Sequence, residues 1–545
     1  MKGRFQIVAA VARDPALARI ELAYFGFSMT EYATWVAILV YAYSLGGAGV
    51  AGLVATAQLV PAGLVAPFAA FAGDRFRRDY VLVTGYLVQA AALGATAVAL
   101  YLRAPVQVTI AAAAVAATGF TFTRPAQSSI LPSLTHSPQD LTAANAVAGL
   151  AENVGMFVGP FVCGILLGRG EPGDVFAVFS ITTLLSALLV FRLPIDRTTA
   201  TPTARIDARD VVRESFGGFG VLRRERPVLL LVLLLSATIV VTGAMDILFV
   251  AVAVDLLHLG SSWAGYFYSA VGLGGIMGAV ATVARVGRQR LTPSLAGSGV
   301  LFGLPIVGIG LLPAPVVAPV MFASSGAGLS ITTVAGQTLL QRIAPEAVLS
   351  RVFGVLEGLR QFSLAAGSVA CAAMVTAFGP AIALAVVGLF VPIVLALGWV
   401  ELRALDRDAR APDPEALAAL RRLPIFAPLS APAIERIMAE LIPLDVPAGD
   451  VLIREGDEGA RFYVLVEGNV AISQGGRRIA ERFAPDQLGE IALLRGVPRT
   501  ATVTATTALR LLALDRAPFL EAVTGHPQSR AHAEAVVTAR LSGDG

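Results

Sequence analysis

Apolar positions run almost unbroken for about 20 residues at a time, twelve times over, before the pattern changes character near residue 405. As a helix, each run is long enough to cross a hydrocarbon layer of roughly 30 Å. The runs fall at 20–44, 48–72, 80–102, 106–130, 142–168, 173–195, 228–256, 262–284, 293–313, 315–338, 350–377 and 379–401. After Arg403 the apolar blocks shorten. Asp406 to Pro414 is a polar, proline-bearing connector, and Leu417 to Leu423 and Ala431 to Leu441 carry amphipathic helical spacing. Alternating stretches follow between turn glycines at Gly449, Gly456, Gly468 and Gly475–Gly476. They predict an eight-stranded β-roll, with Leu511 to Leu514 as its last strand and helices over Pro518 to Val523 and His532 to Leu541. The expected fold class is all-α membrane, with twelve transmembrane helices in two six-helix repeats, plus a C-terminal β-roll (jelly-roll) domain with flanking helices.

The two sets of six are joined by a basic loop, 196–227, in which Ala208, Val212, Phe216 and Phe219 recur at helical spacing and predict a segment lying along the membrane surface. The halves repeat. Gly159-Pro160-Phe161-Val162-Cys163 returns as Gly367-Ser368-Val369-Ala370-Cys371, and Gln127 to Leu131 is echoed by Gln337 to Gln341. Repeated six-span halves predict a rocker-switch carrier with its substrate between them near the midplane. The expected domains are 1–405 for the carrier (1–195 the first half, 196–227 the loop, 228–405 the second half), 406–416 for the linker and 417–545 for the β-roll.

Composition agrees: 56% of the 545 residues are hydrophobic and 14% charged, with a mean hydropathy of +0.73, against about a quarter charged in soluble domains. The net charge of +3 matters less than its placement. Loops on one side carry Arg75, Arg77, Arg78, eight arginines from Arg192 to Arg226, Arg285, Arg288, Arg290, Arg403, Arg407 and Arg410; those on the other carry Arg103 and Arg169. That asymmetry predicts a multi-pass protein of a bacterial inner membrane with both termini cytoplasmic. Residues 1–18 are then a cytoplasmic lead-in. Cys163 and Cys371 both fall in apolar runs, so neither a disulfide framework nor a metal site is indicated. Lys2 is the sole lysine, which excludes a Walker A phosphate loop, and neither H-E-x-x-H nor G-x-S-x-G occurs. The expectation is no enzyme, no cofactor, no metal and, with no room for a helix-turn-helix after the last helix, no nucleic-acid polymer as partner.

Ionisable residues inside spans are costly and usually functional. Glu31 and Asp246 lie at matching depth in the first and seventh spans, roughly 20 Å from the outer loops at 1.5 Å per residue. They suggest a cavity-lining pair for protons or a cationic substrate. Glu152 and Arg360 stand at repeat-related positions with opposite charge, and could bridge the halves or form a structural ion pair.

The most specific chemistry lies in Leu488 to Val503, LGEIALLRGVPRTATV. Gly489 allows close backbone approach to a ligand. Ile491, Ala492 and the residues up to Leu494 can form one helical turn whose free N–H groups favour an anion. Arg499, after Pro498, can pair its planar guanidinium with phosphate oxygens. Glu490 can accept from a ribose 2′-hydroxyl, and Thr500 adds a hydroxyl. Gly489-Glu490-Ile491-Ala492-Leu493 followed by Pro498-Arg499-Thr500-Ala501 resembles the phosphate-binding cassette of cyclic nucleotide-binding domains. The resemblance implies that Glu490 takes the ribose hydroxyl and Arg499 the cyclic phosphate of cyclic AMP or cyclic GMP, with cyclic AMP favoured. It also implies C-terminal helices that cap the roll and move on binding.

Gly73-Asp74-Arg75-Phe76-Arg77-Arg78 resembles the signature loop between spans two and three of the major facilitator superfamily, with Arg77 and Ala70 departing from the usual glycines. These departures are closer to the drug and siderophore exporter branch than to sugar porters. The resemblance implies that Asp74, with Arg75 and Arg78 beside it, engages the start of the eleventh span near Ser350 and gates the cycle. Gly155 to Gly164, centred on Gly159 and Pro160, resembles the superfamily's antiporter motif with Cys163 in place of a glycine. The implied function is a secondary transporter, exporting a small hydrophobic compound in exchange for protons and regulated by a cyclic nucleotide. A membrane-anchored nucleotide receptor without transport is the alternative. The partners expected are a small-molecule substrate, a cyclic nucleotide and the lipid bilayer, with the oligomeric state open and a monomer favoured.

Overall fold

The computed structural model describes residues 14–75, 78–134, 138–191, 226–283, 292–343, 346–408, 419–426, 429, 434, 437, 438, 440–524 and 527–542. The chain forms two compact units, Met1–Ala404 and Leu405–Gly545.

In the first unit, eleven helices among the described residues are long and apolar enough to cross a membrane. The first, Pro15–Arg75, has 61 residues. Straight, it would reach roughly 90 Å at 1.5 Å per residue, three hydrocarbon layers deep. It is instead broken at Gly46 and Gly47, the latter with φ 66°, so its two limbs supply spans 1 and 2 and the predicted twelve passes are complete. The others are span 3 (Arg78–Tyr101), span 4 (Val106–Leu134), span 5 (Pro138–Arg169), span 6 (Pro172–Val190), span 7 (Arg226–Ala251), span 8 (Ser262–Val283), span 9 (Thr292–Leu311), span 10 (Val317–Ile343), span 11 (Glu346–Phe378) and span 12 (Pro380–Leu397). A π-helical turn, Val252–Leu256, prolongs span 7, and a short helix, Trp399–Asp408, follows span 12.

The bundle is apolar on its surface as well as in its core. Leu53, Leu102, Leu311, Val316 and Leu397 are exposed, while Gln89, Thr96, Thr183 and Ser325 are buried. Apolar side chains outward and hydrogen-bonded polar ones inward suit a hydrocarbon solvent. Gln89, for instance, donates to the Gly119 carbonyl at 2.9 Å and to Thr123 at 2.6 Å, joining spans 3 and 4.

The repeat seen in the sequence is realised as equivalent helix crossings. Gly159 of span 5 lies against the backbone of Met29 in span 1, and Gly367 of span 11 lies against the backbone of Val240 in span 7; a Cβ at either glycine would collide with the facing carbonyl. Small residues let the backbones approach where no aqueous hydrophobic effect drives association. Spans 5 and 8, and the Pro15–Arg75 helix and span 11, join the two halves. Ser269 of span 8 donates to the Phe157 carbonyl at 2.9 Å. Tyr43, near the end of span 1, donates to Asp255 in the π-turn after span 7.

The second unit is a two-sheet roll of eight antiparallel strands: β1 (Ile442–Val446), β2 (Val451–Ile453), β3 (Arg461–Glu467), β4 (Asn469–Gln474), β5 (Arg477–Phe483), β6 (Asp486–Leu488), β7 (Thr502–Ala505) and β8 (Leu509–Asp515). One sheet runs β1-β8-β3-β6, the other β2-β7-β4-β5. Ile453, Leu465, Val470, Leu488, Val503 and Leu511 fill the space between them. Gly468 (φ 96°) turns β3 into β4, and Gly475–Gly476 turns β4 into β5. A second apolar cluster is built on three phenylalanines. Phe462 of β3 stacks on Phe519 at 4.4 Å between ring centroids, and Phe426 meets Phe462 edge-on. It fixes the helix Arg516–Thr524, and the helix Pro527–Ser542 follows. Residues 196–225 of the predicted loop and most of the predicted helix Ala431–Leu441 lie outside the described residues.

Candidate functional site

The roll positions its cassette between β6 and β7. Gly489 closes β6 in the left-handed region (φ 88°), and a Cβ there would run into the Arg499 guanidinium. The helix Glu490–Arg495 starts at once and is stopped by a second left-handed glycine, Gly496. Ile491 and Ala492 lie in its first turn, and Thr500 and Ala501 lead into β7, half-buried. Glu490 is 1% exposed and Arg499 is 7% exposed. The Arg499 guanidinium donates to the Gly489 carbonyl at 2.9 Å and to the Arg461 carbonyl at 2.5 Å. Its own backbone N–H donates to the Asp457 carbonyl at 2.8 Å and its carbonyl accepts from Gly456 at 2.9 Å, tying the cassette to the β2–β3 loop.

Burial pulls the Arg499 guanidinium below its ordinary pKa, and the neighbouring Tyr463, Glu490 and Asp457 work against that shift. A cation withdrawn from water is relieved by an anion, and the free amides of the adjoining helical turn face the same need. Gly459 belongs to this wall as well: a Cβ there would sit 3.1 Å from the Ala492 Cβ and 3.5 Å from the Arg499 Cζ. In the sequence Gly456-Asp457 carries only a turn signal, and nothing local marks Gly459 or Arg461. Their small size and carbonyls matter through contact, and a glycine-rich stretch facing the cassette was the available signal.

In the membrane unit, Arg124 of span 4 stands between two acids. It donates to Glu31 of span 1 at 2.7 Å and to Glu152 of span 5 at 2.5 Å. Tyr24 lies 3.4 Å from both Arg124 and Glu152, and the guanidinium sits 5.8 Å from the centre of the Phe27 ring. Glu152 thus has its direct ion pair with Arg124 inside the first half rather than with Arg360. Arg360 of span 11 stands farther off, within electrostatic reach of Glu152, Tyr32 and Tyr268. Arg124 is a residue the sequence reading missed, although the rule applied to Glu31 covers any charge inside a span.

Asp246 is 5% exposed and is hydrogen-bonded by the Trp35 side chain of span 1, so the two acids expected to act as a pair have separate partners. Tyr32 and Tyr268, 6.0 Å apart, lie between the halves and lead on to Phe249 and Phe322. Beyond Gly159, the antiporter-like segment also meets span 8, where a Cβ on Gly265 would lie 2.5 Å from the Pro160 carbonyl. A cavity of about 380 Å3 opens at that seam, lined by Phe157, Phe161, Trp263 and Tyr266. Asp74 and Arg75 end the Pro15–Arg75 helix and Arg78 begins span 3, but their side chains and that of Ser350 lie outside the described residues, as does the contact expected of them.

A paired bundle of twelve passes with charged residues at its centre, in one chain with a β-roll carrying an arginine cassette, defines a membrane carrier fused to a ligand-binding module. Residues 20–368 match the Major Facilitator Superfamily, and the chain belongs to it. Residues 443–526 match the cyclic nucleotide-binding domain. Neither is an enzymatic family. Among curated proteins, a cyclic nucleotide-gated potassium channel of Rhizobium etli is 38% identical over 97 residues, 18% of this chain and 27% of the channel. The cAMP-dependent protein kinase regulatory subunit of Dictyostelium discoideum is 39% identical over 87 residues, 14% of this chain and 27% of that protein. The chain therefore spans about a quarter of the length of these relatives. Of solved structures, the nucleoside transporter NupG matches with a TM-score of 0.60 at 11% identity over 71% of this chain and 99% of that one. A POT family transporter in complex with a thioalcohol-conjugated peptide matches with the same score and identity over 71% of this chain and 96% of its own. These two show the fold alone.

Proposed function

We propose that the protein is a proton-coupled exporter of a small hydrophobic compound, held in a bacterial inner membrane with both termini cytoplasmic, whose cycle is tuned by a cyclic nucleotide, cyclic AMP in the first place. The observation that carries this reading is the buried Arg499, held against the Gly489–Glu490 turn by its bond to the Gly489 carbonyl, in a chain whose other unit is a carrier. Arg499 holds the cyclic phosphate and Glu490 the ribose hydroxyl. Glu31, Glu152 and Arg124 form the proton-responsive centre of the first half, and Asp246 and Arg360 its counterparts in the second. The aromatic lining at the seam between halves supports a hydrophobic substrate. Asp74, Arg75, Arg78, Gly159 and Pro160 serve the gating between states.

A nucleotide shifts the carrier only through its different affinity for the two states. A tenfold difference is about 1.4 kcal/mol, which retunes a transport rate without switching it off. The test is dye efflux from vesicles containing the full chain, with and without cyclic AMP inside. Efflux driven by a proton gradient, altered by the nucleotide in the native chain and unaltered in Arg499→Ala, is the expected result. An equal nucleotide response in the variant would refute the regulatory reading, and absence of any gradient-driven flux would favour a membrane-held receptor.

A further inference from the structure

One acid of the first half has no place in the cluster described above. Glu21 lies in span 1 and is 5% exposed, and neither of its carboxylate oxygens has a hydrogen-bond partner. Two more orphaned polar groups belong to the same part of the bundle. The Tyr86 hydroxyl of span 3 is fully buried without a partner, and so is the Gln127 amide of span 4. Tyr86 lies within electrostatic reach of both Glu21 and Tyr24.

The level is set by the helices. Tyr24 and Arg124 meet at 3.4 Å. Spans 1 and 4 run antiparallel, so three residues back along span 1 and three forward along span 4 move the same way. Glu21 and Gln127 therefore lie at one level, about 4.5 Å from the Tyr24–Arg124 contact. Around them are Leu17, Ile20, Leu82, Ile130 and Leu131. The charged or titratable groups on the surrounding elements, among the described residues, are few. Span 1 itself offers Arg19, whose guanidinium is spent on the Leu189 and Phe191 carbonyls, and Tyr24. Span 3 offers Tyr86, with Tyr80 exposed near its start and Tyr101 at its far end. Span 4 offers Arg124 and span 5 Glu152, with Arg169 at its far end; span 6 has none from Val175 to Val190. The side chains of Arg78, Asp79 and Asp140 lie outside the described residues. Among the described residues no cation pairs with Glu21. A charged carboxylate in such a setting, with no donor, would bear its whole desolvation cost.

We propose that Glu21 is a proton-loading site, exchanging its proton with the Glu31–Arg124–Glu152 cluster through Tyr86 and Tyr24. No hydrogen bond joins Glu21, Tyr86 and Tyr24 in this state, so the exchange requires spans 1 and 3 to close on one another. There the Glu21 O–H bond breaks as Tyr86 takes the proton, Tyr86 passes its own to Tyr24, and Tyr24 passes its own to Glu152, which it already meets at 3.4 Å. Both tyrosines end as they began. The negative charge moves from Glu152 to Glu21, which recovers a proton from water at its end of span 1. Glu152, once neutral, releases Arg124 to Glu31 alone. The proposal rests on the proton-coupled reading of this cluster and extends it to a residue outside the ion pairs.

The test is infrared spectroscopy of the purified full-length protein. The native chain should show the C=O stretch of a protonated carboxyl at neutral pH, and Glu21→Gln should remove it. Glu21→Asp, as a fold-preserving control, should keep it, and Glu31→Gln should leave it unchanged. Tyr86→Phe should slow hydrogen–deuterium exchange of that band by roughly tenfold or more. Asp246→Asn identifies any part of the band that belongs to that other buried acid. A band in the Asp246→Asn background that survives Glu21→Gln, or its absence in that background, overturns the proposal, and unaltered exchange in Tyr86→Phe overturns the tyrosine route. If gradient-driven flux is lacking while the Glu21 band is present, the transport reading fails and the proton site stands.

Discussion

Arg124 donates to Glu31 at 2.7 Å, and the same guanidinium holds Glu152 at 2.5 Å, so one cation serves two acids from two helices. Removing an acid and removing the cation are therefore unequal changes. Glu31→Gln leaves Arg124 paired with Glu152. Arg124→Gln leaves two carboxylates close together with no charge between them. We expect Arg124→Gln to lower the unfolding midpoint in detergent by a few degrees, and Glu31→Gln by distinctly less, read by thermal scanning fluorimetry. Equal midpoints would mean that the acids do not depend on Arg124.

Arg499 is held by two backbone carbonyls before any ligand arrives. Replacing it by Ala removes the charge-assisted bonds to a phosphate, a loss of about 3 kcal/mol, or roughly 100-fold in affinity. Arg499→Lys keeps a point charge but loses the fork and should fall between the two. Calorimetric titration of the full-length chain with cyclic AMP and with cyclic GMP measures both variants and ranks the nucleotides.

The crossings at Gly159 and Gly367 predict paired behaviour. Gly159→Ala drives a methyl into the Met29 carbonyl and Gly367→Ala one into the Val240 carbonyl, and each should cost about 1–3 kcal/mol. Gly149→Ala, with open space around its Cβ, should be neutral or stabilising by up to about 1 kcal/mol. Thermal denaturation of the three variants is the check. A harmless Gly159→Ala would show that spans 1 and 5 can separate freely.

Phe519 anchors the helix Arg516–Thr524 to the roll by stacking on Phe462. Phe519→Ala should destabilise the C-terminal unit by about 3–5 kcal/mol. Cyclic AMP at about 100 times its Kd should return about 2.7 kcal/mol if the cassette remains intact. Limited proteolysis with and without nucleotide follows both effects.

What was legible in the sequence followed from period and composition. Twelve apolar runs, the repeat joining Gly159 to Gly367, eight strands between turn glycines and the contiguous cassette are all local patterns. The break at Gly46 and Gly47 was legible as the gap between the runs 20–44 and 48–72, and the structure makes it with two backbone dihedrals instead of a loop. The partners of Glu31, Glu152 and Asp246 escaped because pairing depends on which helix faces meet. Depth along a span placed Glu31 and Asp246 at one level, yet Arg124 and Trp35 were nearer to them than either was to the other. Glu21 was hidden by its position at the edge of an apolar run, where a carboxylate ordinarily reaches water.

The hydroxyl of Tyr43 rests on Asp255, and that contact ties the first half to the π-turn of the second. It links the two halves at that end of the bundle. A hydrogen bond to a charged group contributes about 1.5–3 kcal/mol, so random parting there is suppressed roughly 10- to 100-fold. Any motion that separates the halves at that end must first break this one contact.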